Sequence, residues 1–151
     1  MTQSQWIRRV ARPAVFVLCL FPFAFLLWGF FTDTLSANPI DDITDETGTW
    51  TLRFLMITLT MTPLRKITGW NGFLQFRRMF GLFAFSYGVL HFTTYVWLDQ
   101  FFNLGEIVTD VARRPFITVG FASFVLMIPL ALTSNDRMTR WIGGRRWRIL
   151  H

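Results

Sequence analysis

Eighteen consecutive residues, Ala14 to Phe31, carry no charge. At ~1.5 Å of rise per residue such a run spans ~27 Å as a helix, close to the hydrocarbon thickness of a bilayer. Two further apolar runs, Met79 to Leu98 and Pro115 to Thr133, have similar length. Lipid offers no partners to backbone amides, so segments of this kind must satisfy their own hydrogen bonds as helices. The sequence therefore predicts an all-α membrane protein, a helical bundle. Composition points the same way. The 151 residues are 52% hydrophobic and 16% charged, where a soluble domain carries about 25% charged residues.

Arg8, Arg9 and Arg12 precede the first run, which raises the question of a signal peptide. Hydrophobic cores of signal peptides run to about 7–15 residues and end in a small-x-small cleavage site. This run is longer, and Leu35-Ser36-Ala37 has a large residue at the first of those positions. A retained transmembrane helix is expected. Between it and the next apolar stretch, Thr32 to Gly48 is polar and acidic, and Asn38-Pro39 marks a turn. The second span is the least apolar. Its centre is Phe54 to Met61, framed by Trp50 and Pro63, and it extends from Thr47 to Leu64 with Arg53 snorkelling outward.

The charge pattern is the reason for keeping that span. The N-terminal segment carries +3 and the first loop −5. The second loop (Arg65, Lys66, Arg77, Arg78) carries +4, the third −1, and the tail from Ser134 to His151 +4. Basic and acidic segments alternate, which matches about four spans with both termini in the cytoplasm. Arginines placed at the ends of apolar runs do not form the continuous basic face of a nucleic-acid-binding protein, so the net charge of +6 reads as membrane topology. Cys19 is the only cysteine and sits inside the first run, which excludes a disulfide framework and a thiolate metal cluster.

Chemistry concentrates on His91. An ionisable side chain at membrane depth is kept for a relay, a ligand or a counter-ion. Residues three and four apart share a helix face, and the face through His91 reads Gly81, Ala84, Gly88, His91, Tyr95. Such a stripe accommodates either a neighbouring helix, with the histidine hydrogen-bonded, or the flat edge of a porphyrin. A proton relay or quinone contact is a third possibility. His91 lies 13 residues beyond Arg78, which at ~1.5 Å per residue puts it ~20 Å from the cytoplasmic boundary. The other histidine, His151, follows the basic segment Arg145 to Leu150 and is expected near that boundary. The two differ in depth by ~20 Å on the same helical rise, so they make no obvious axial pair. A further helix after His151 is expected to carry the partner of His91. Arg77, Arg78, Arg145 and Arg146 either anchor loops to lipid headgroups or line a cytoplasmic site for an anionic cofactor such as a flavin phosphate. Trp50, Trp97, Trp141 and Trp147 are expected in the interfacial belts.

Several segments, in order, resemble the YedZ/MsrQ family of the ferric-reductase-like transmembrane superfamily. They are Thr62 to Arg65 (TPLR), Arg77 to Leu82 (RRMFGL), His91 to Tyr95 (HFTTY), Arg114 to Phe116 (RPF), Leu130 to Ser134 (LALTS) and Arg145 to His151 (RRWRILH). The resemblance implies a single ferric-reductase-like domain over residues 1–151, incomplete at its C-terminus. It implies a bacterial inner-membrane electron-transfer subunit rather than a catalytic one. Electrons would pass from the quinone pool through haem b to MsrP, a periplasmic molybdopterin subunit that repairs methionine sulfoxide. FMN is a further cofactor of the family. His91 and His151 match family histidines and become haem-ligand candidates; Arg77 and Arg78 are cofactor-binding candidates. The alternatives are another haem protein of the superfamily, delivering electrons to metal ions or oxygen, and a redox-inactive four-helix scaffold.

Overall fold

The computed structural model describes residues 2–151, which are helical with short connections. They form two compact units, one ending at Thr94 and one running from Tyr95 to His151.

In the first unit, α1 (Gln3–Trp6), a π-helical turn (Ile7–Ala11) and α2 (Arg12–Phe31) run on as one helix. Thr2 starts it with a capping box, its amide donating to Gln5 Oε1 at 3.1 Å. The α3 helix (Pro39–Thr68) begins where the Asn38-Pro39 turn was expected, with Pro39 in the first turn, where its missing N–H is no loss. It does not leave the acidic stretch outside as a loop. Asp41 and Asp42 occupy the first turn, where carboxylates suit the positive end of the helix dipole. Asp42 Oδ2 also accepts the Ser36 amide at 2.6 Å. Gly69 ends α3 in the left-handed region (φ 71°), its N–H donating to the Arg65 carbonyl at 2.9 Å. A three-residue turn, pinned by Arg65 Nε donating to Asn71 Oδ1 at 2.8 Å, leads into α4 (Gly72–Thr94).

The α3 and α4 helices pack as an antiparallel hairpin. Phe54 is its centre: its ring lies 5.2 Å from Tyr87, 5.8 Å from Phe83 and 6.3 Å from Phe80. Cys19 of α2 completes this cluster, and Ile7, Met61 and Phe76 form a second one. Outward-facing residues of α2, among them Val17, Leu18, Phe21, Phe25 and Trp28, are exposed, as lipid-facing side chains are.

The second unit opens with a π-helical turn (Tyr95–Asp99) that continues α4. Phe101 and Phe102 then take left-handed backbone conformations. The expected third loop contains α5 (Leu104–Arg113), capped by the Asn103 side chain. The α6 helix (Pro115–Leu132) follows, and the expected tail holds α7 (Asp136–Ile142) and α8 (Gly144–Leu150).

Three helices, Gln3–Phe31, Gly72–Asp99 and Pro115–Leu132, are long and apolar enough to cross a membrane. The α3 helix is long enough at 30 residues, but its threonines and Arg53 make it too polar for that set. Arg53 is exposed and lays its guanidinium 4.7 Å from the Trp50 ring, the arrangement expected of a charge held at an interface by an aromatic neighbour. The chain is an all-α, multi-pass membrane protein.

Candidate functional site

His91 sits in the last turns of α4, half-buried against α3. Its Nδ1 lies 2.9 Å from the Thr44 carbonyl. A carbonyl only accepts, so Nδ1 carries the proton. On a neutral ring this leaves the Nε2 lone pair as the donor site, and no described residue is bonded to Nε2. The ring fits because position 48 is glycine: a Cβ there would stand 2.9 Å from His91 Cε1 and 3.0 Å from Nδ1. Lower on the same face, a Cβ on Gly81 would meet only the Thr58 methyl at 3.5 Å. Ala84 and Gly88 are buried. The small-residue face of α4 is thus packed against α3 with the histidine hydrogen-bonded, the first of the arrangements such a stripe allows.

The sequence reading did not single out Thr44, Gly48 or Tyr87. Thr44 and Gly48 both fall in the acidic stretch, where nothing local signals a histidine more than forty residues away. Tyr87, 2% exposed, reaches α2. Its hydroxyl donates to the Cys19 carbonyl at 2.8 Å and accepts the Phe23 amide at 3.1 Å. These two groups are ordinary i, i+4 helix partners, and Pro22 beside them disturbs the ladder there. The proline within an apolar run was the available signal. An open apolar groove of about 390 Å³ beside this junction is lined by Leu20 and Phe23 of α2 and Phe83, Ser86, Tyr87 and Leu90 of α4; His91 is not among its lining residues.

In the second unit His151 follows α8. Thr133 donates its hydroxyl proton to the Pro129 carbonyl at 2.7 Å, which leaves its oxygen to accept His151 Nε2–H at 2.8 Å. The Trp147 ring stacks on the imidazole at 4.2 Å, and Trp147 Nε1 donates to the Thr133 carbonyl at 2.9 Å. Thr133 is therefore the point to which α8 is fastened. Tyr95 donates to Asp110 Oδ2 at 3.0 Å, tying the end of the long span to α5. Arg77 and Arg78 lie in the first half of α4, Arg77 half-buried and Arg78 exposed. Among the described residues no group of three or more His, Cys, Asp or Glu side chains gathers.

The ferric reductase like transmembrane component family matches residues 47–151, the stretch that contains both histidines. A protein-methionine-sulfoxide reductase heme-binding subunit MsrQ from Polaromonas naphthalenivorans is 46% identical over 99% of this chain and 68% of its own length. The chain belongs to the MsrQ family of ferric-reductase-like transmembrane proteins. Members bearing the same description from Herminiimonas arsenicoxydans and Azospira oryzae are 54% and 51% identical, each over 93% of this chain. The chain spans 64% and 60% of the length of those two relatives. No solved structure matches.

Proposed function

We propose that this chain is the membrane part of an electron-transfer subunit that holds haem b, with His91 as an axial ligand through Nε2. The observation that carries this reading is the His91 geometry. Its Nδ1–H is fixed on a backbone carbonyl and its Nε2 lone pair is open, deep in a span of a chain about half identical to proteins described as heme-binding. A metal-bound histidine characteristically donates its second ring N–H to a carbonyl or carboxylate, which sets the tautomer and the ring plane. A porphyrin provides four of the iron's ligands itself, so an isolated imidazole fits the role where a metal cluster would be needed for a bare ion.

Bound haem supplies a one-electron couple; the chain's residues supply ligation, orientation and an apolar surround. His151 is the second ligand candidate. Its Nε2 is engaged by Thr133, so ligation through that nitrogen requires the Thr133 bond to be given up. Arg77 and Arg78 are suited to the phosphate of an FMN, as guanidinium groups bind phosphate oxygens in pairs. In this reading the subunit lies in the bacterial inner membrane with both termini cytoplasmic, following the alternation of basic and acidic segments. It takes electrons from quinone and passes them to a periplasmic MsrP subunit that reduces methionine sulfoxide.

One observation favours a second reading, a redox-inactive helical scaffold: α3 occupies the face of α4 around His91. A reduced-minus-oxidised visible spectrum of the detergent-solubilised chain separates the two. The same spectrum is taken on the chain continued with the C-terminal part of one of its longer relatives. The expected result is a b-type spectrum in at least the longer form, lost in His91→Ala. Absence of colour in both forms, or full haem content in His91→Ala, overturns the haem reading.

A further inference from the structure

The His91 imidazole is placed by backbone rather than by another side chain. Thr44 and Gly48 lie one helical turn apart on α3, so the carbonyl of one and the missing side chain of the other face the same point. The carbonyl takes Nδ1–H at 2.9 Å. The absent Cβ lets the ring reach that carbonyl, since an alanine methyl would stand 2.9 Å from Cε1 and 3.0 Å from Nδ1. Real Cβ atoms essentially never come within 3.0 Å of another heavy atom, so the ring, the far end of a side chain anchored on α4, must shift. Glycine is also a poor choice for a helix interior on intrinsic propensity. Position 48 therefore sacrifices helix preference at the point where the ring needs space.

We propose that Gly48 and the Thr44 carbonyl form a seat that fixes His91 as its Nδ1–H tautomer and aims Nε2. Both are positioning groups, acting through His91. The inference rests on the haem reading for its consequence but not for its existence, because the tautomer is a property of the protein without the cofactor. Partners of this kind, one step removed from the metal, change affinity by about 10- to 100-fold when lost. Alanine is the better helix former, so Gly48→Ala is expected to retain the fold while displacing the ring.

The test has two readouts. The first is the tautomer of His91 by ¹⁵N NMR of the histidine-labelled, haem-free protein in detergent, with a His151→Gln variant assigning the two signals. The Nδ1–H form is expected in the parent chain, and loss of that single form in Gly48→Ala. An Nε2–H form in the parent overturns the seat whatever the haem result. The second is haem retention and midpoint potential in the haem-holding form, with Gly81→Ala as the control, since its new methyl meets only ordinary contact. At least a tenfold faster haem loss and a shifted potential in Gly48→Ala, with Gly81→Ala unchanged, are expected. Equal behaviour of the parent and Gly48→Ala overturns the inference and leaves the haem reading standing. If no form holds haem, that reading fails, and the parent tautomer still decides whether the seat exists. If Gly48→Ala cannot be purified folded, the parent tautomer decides alone.

Discussion

The Tyr87 hydroxyl serves two backbone groups of α2 at once, accepting from the Phe23 amide and donating to the Cys19 carbonyl. A phenol in this position joins α4 to α2 at the point where Pro22 has weakened the helix. In Tyr87→Phe the amide and carbonyl are still i, i+4 partners within α2, so neither is left orphaned. The expected loss is small, about 1 kcal/mol, in the range of interhelical hydrogen bonds in membranes. It is read as a lowered midpoint of detergent unfolding followed by circular dichroism. A loss above about 3 kcal/mol, which belongs to unsatisfied buried groups and collapsed packing, would show that α2 cannot close its own ladder there. Thr133 does comparable work in the second unit, receiving both the His151 ring and the Trp147 indole.

Among the helices, α3 carries the most conflicting signals. It begins in an acidic segment, contains Arg53, and yet provides the Phe54 ring around which Phe80, Phe83 and Tyr87 of α4 assemble. Helix pairs in lipid are held by packing and small-residue contact more than by hydrophobicity, since lipid is as apolar as leucine. A moderately polar helix can therefore cross if its partner covers the right face. At ~1.5 Å per residue its 30 residues span ~45 Å, enough for hydrocarbon and both interfaces. Cysteines introduced at Asp42 and Lys66, in a Cys19→Ser background, are expected to react with a membrane-impermeant maleimide from opposite sides of sealed vesicles. Labelling of both from one side would remove α3 from the spans. The α7 and α8 helices were hidden in the sequence for a simpler reason, since at 7 residues each is too short for periodicity to stand out beside runs of twenty, whereas α5 carries a legible apolar stripe in Leu104, Ile107, Val108 and Val111.

For the molecule as a whole, the proposed orientation rests on the arginines. Those flanking the runs are concentrated in the N-terminal segment, the helix ends on either side of the α3–α4 turn, and the stretch after α6. Translocating clustered arginines is disfavoured, so the proposed orientation puts these three segments in the cytoplasm. A cytoplasm-active reporter joined after His151 is expected to be active, and a periplasm-active one inserted between Gln100 and Asn103 is expected to be active as well. Silence of either reporter would overturn this orientation.

Sequence alone determined that the chain is a helical membrane protein, where its most apolar spans run and which family it resembles, and it made His91 the candidate residue. Each of these rests on composition, on runs of a fixed length or on ordered local motifs, which need no knowledge of neighbours. Only the tertiary structure decided what surrounds His91. Thr44 and Gly48 are more than forty residues away, and they meet the ring because α3 and α4 lie antiparallel with one particular register. The same holds for Tyr87 on α2 and for His151 on Thr133. A hydrogen bond across such a separation depends on how two helices are rotated and shifted against each other. Packing sets that rotation and shift through the summed fit of many side chains, and no short stretch of sequence records it.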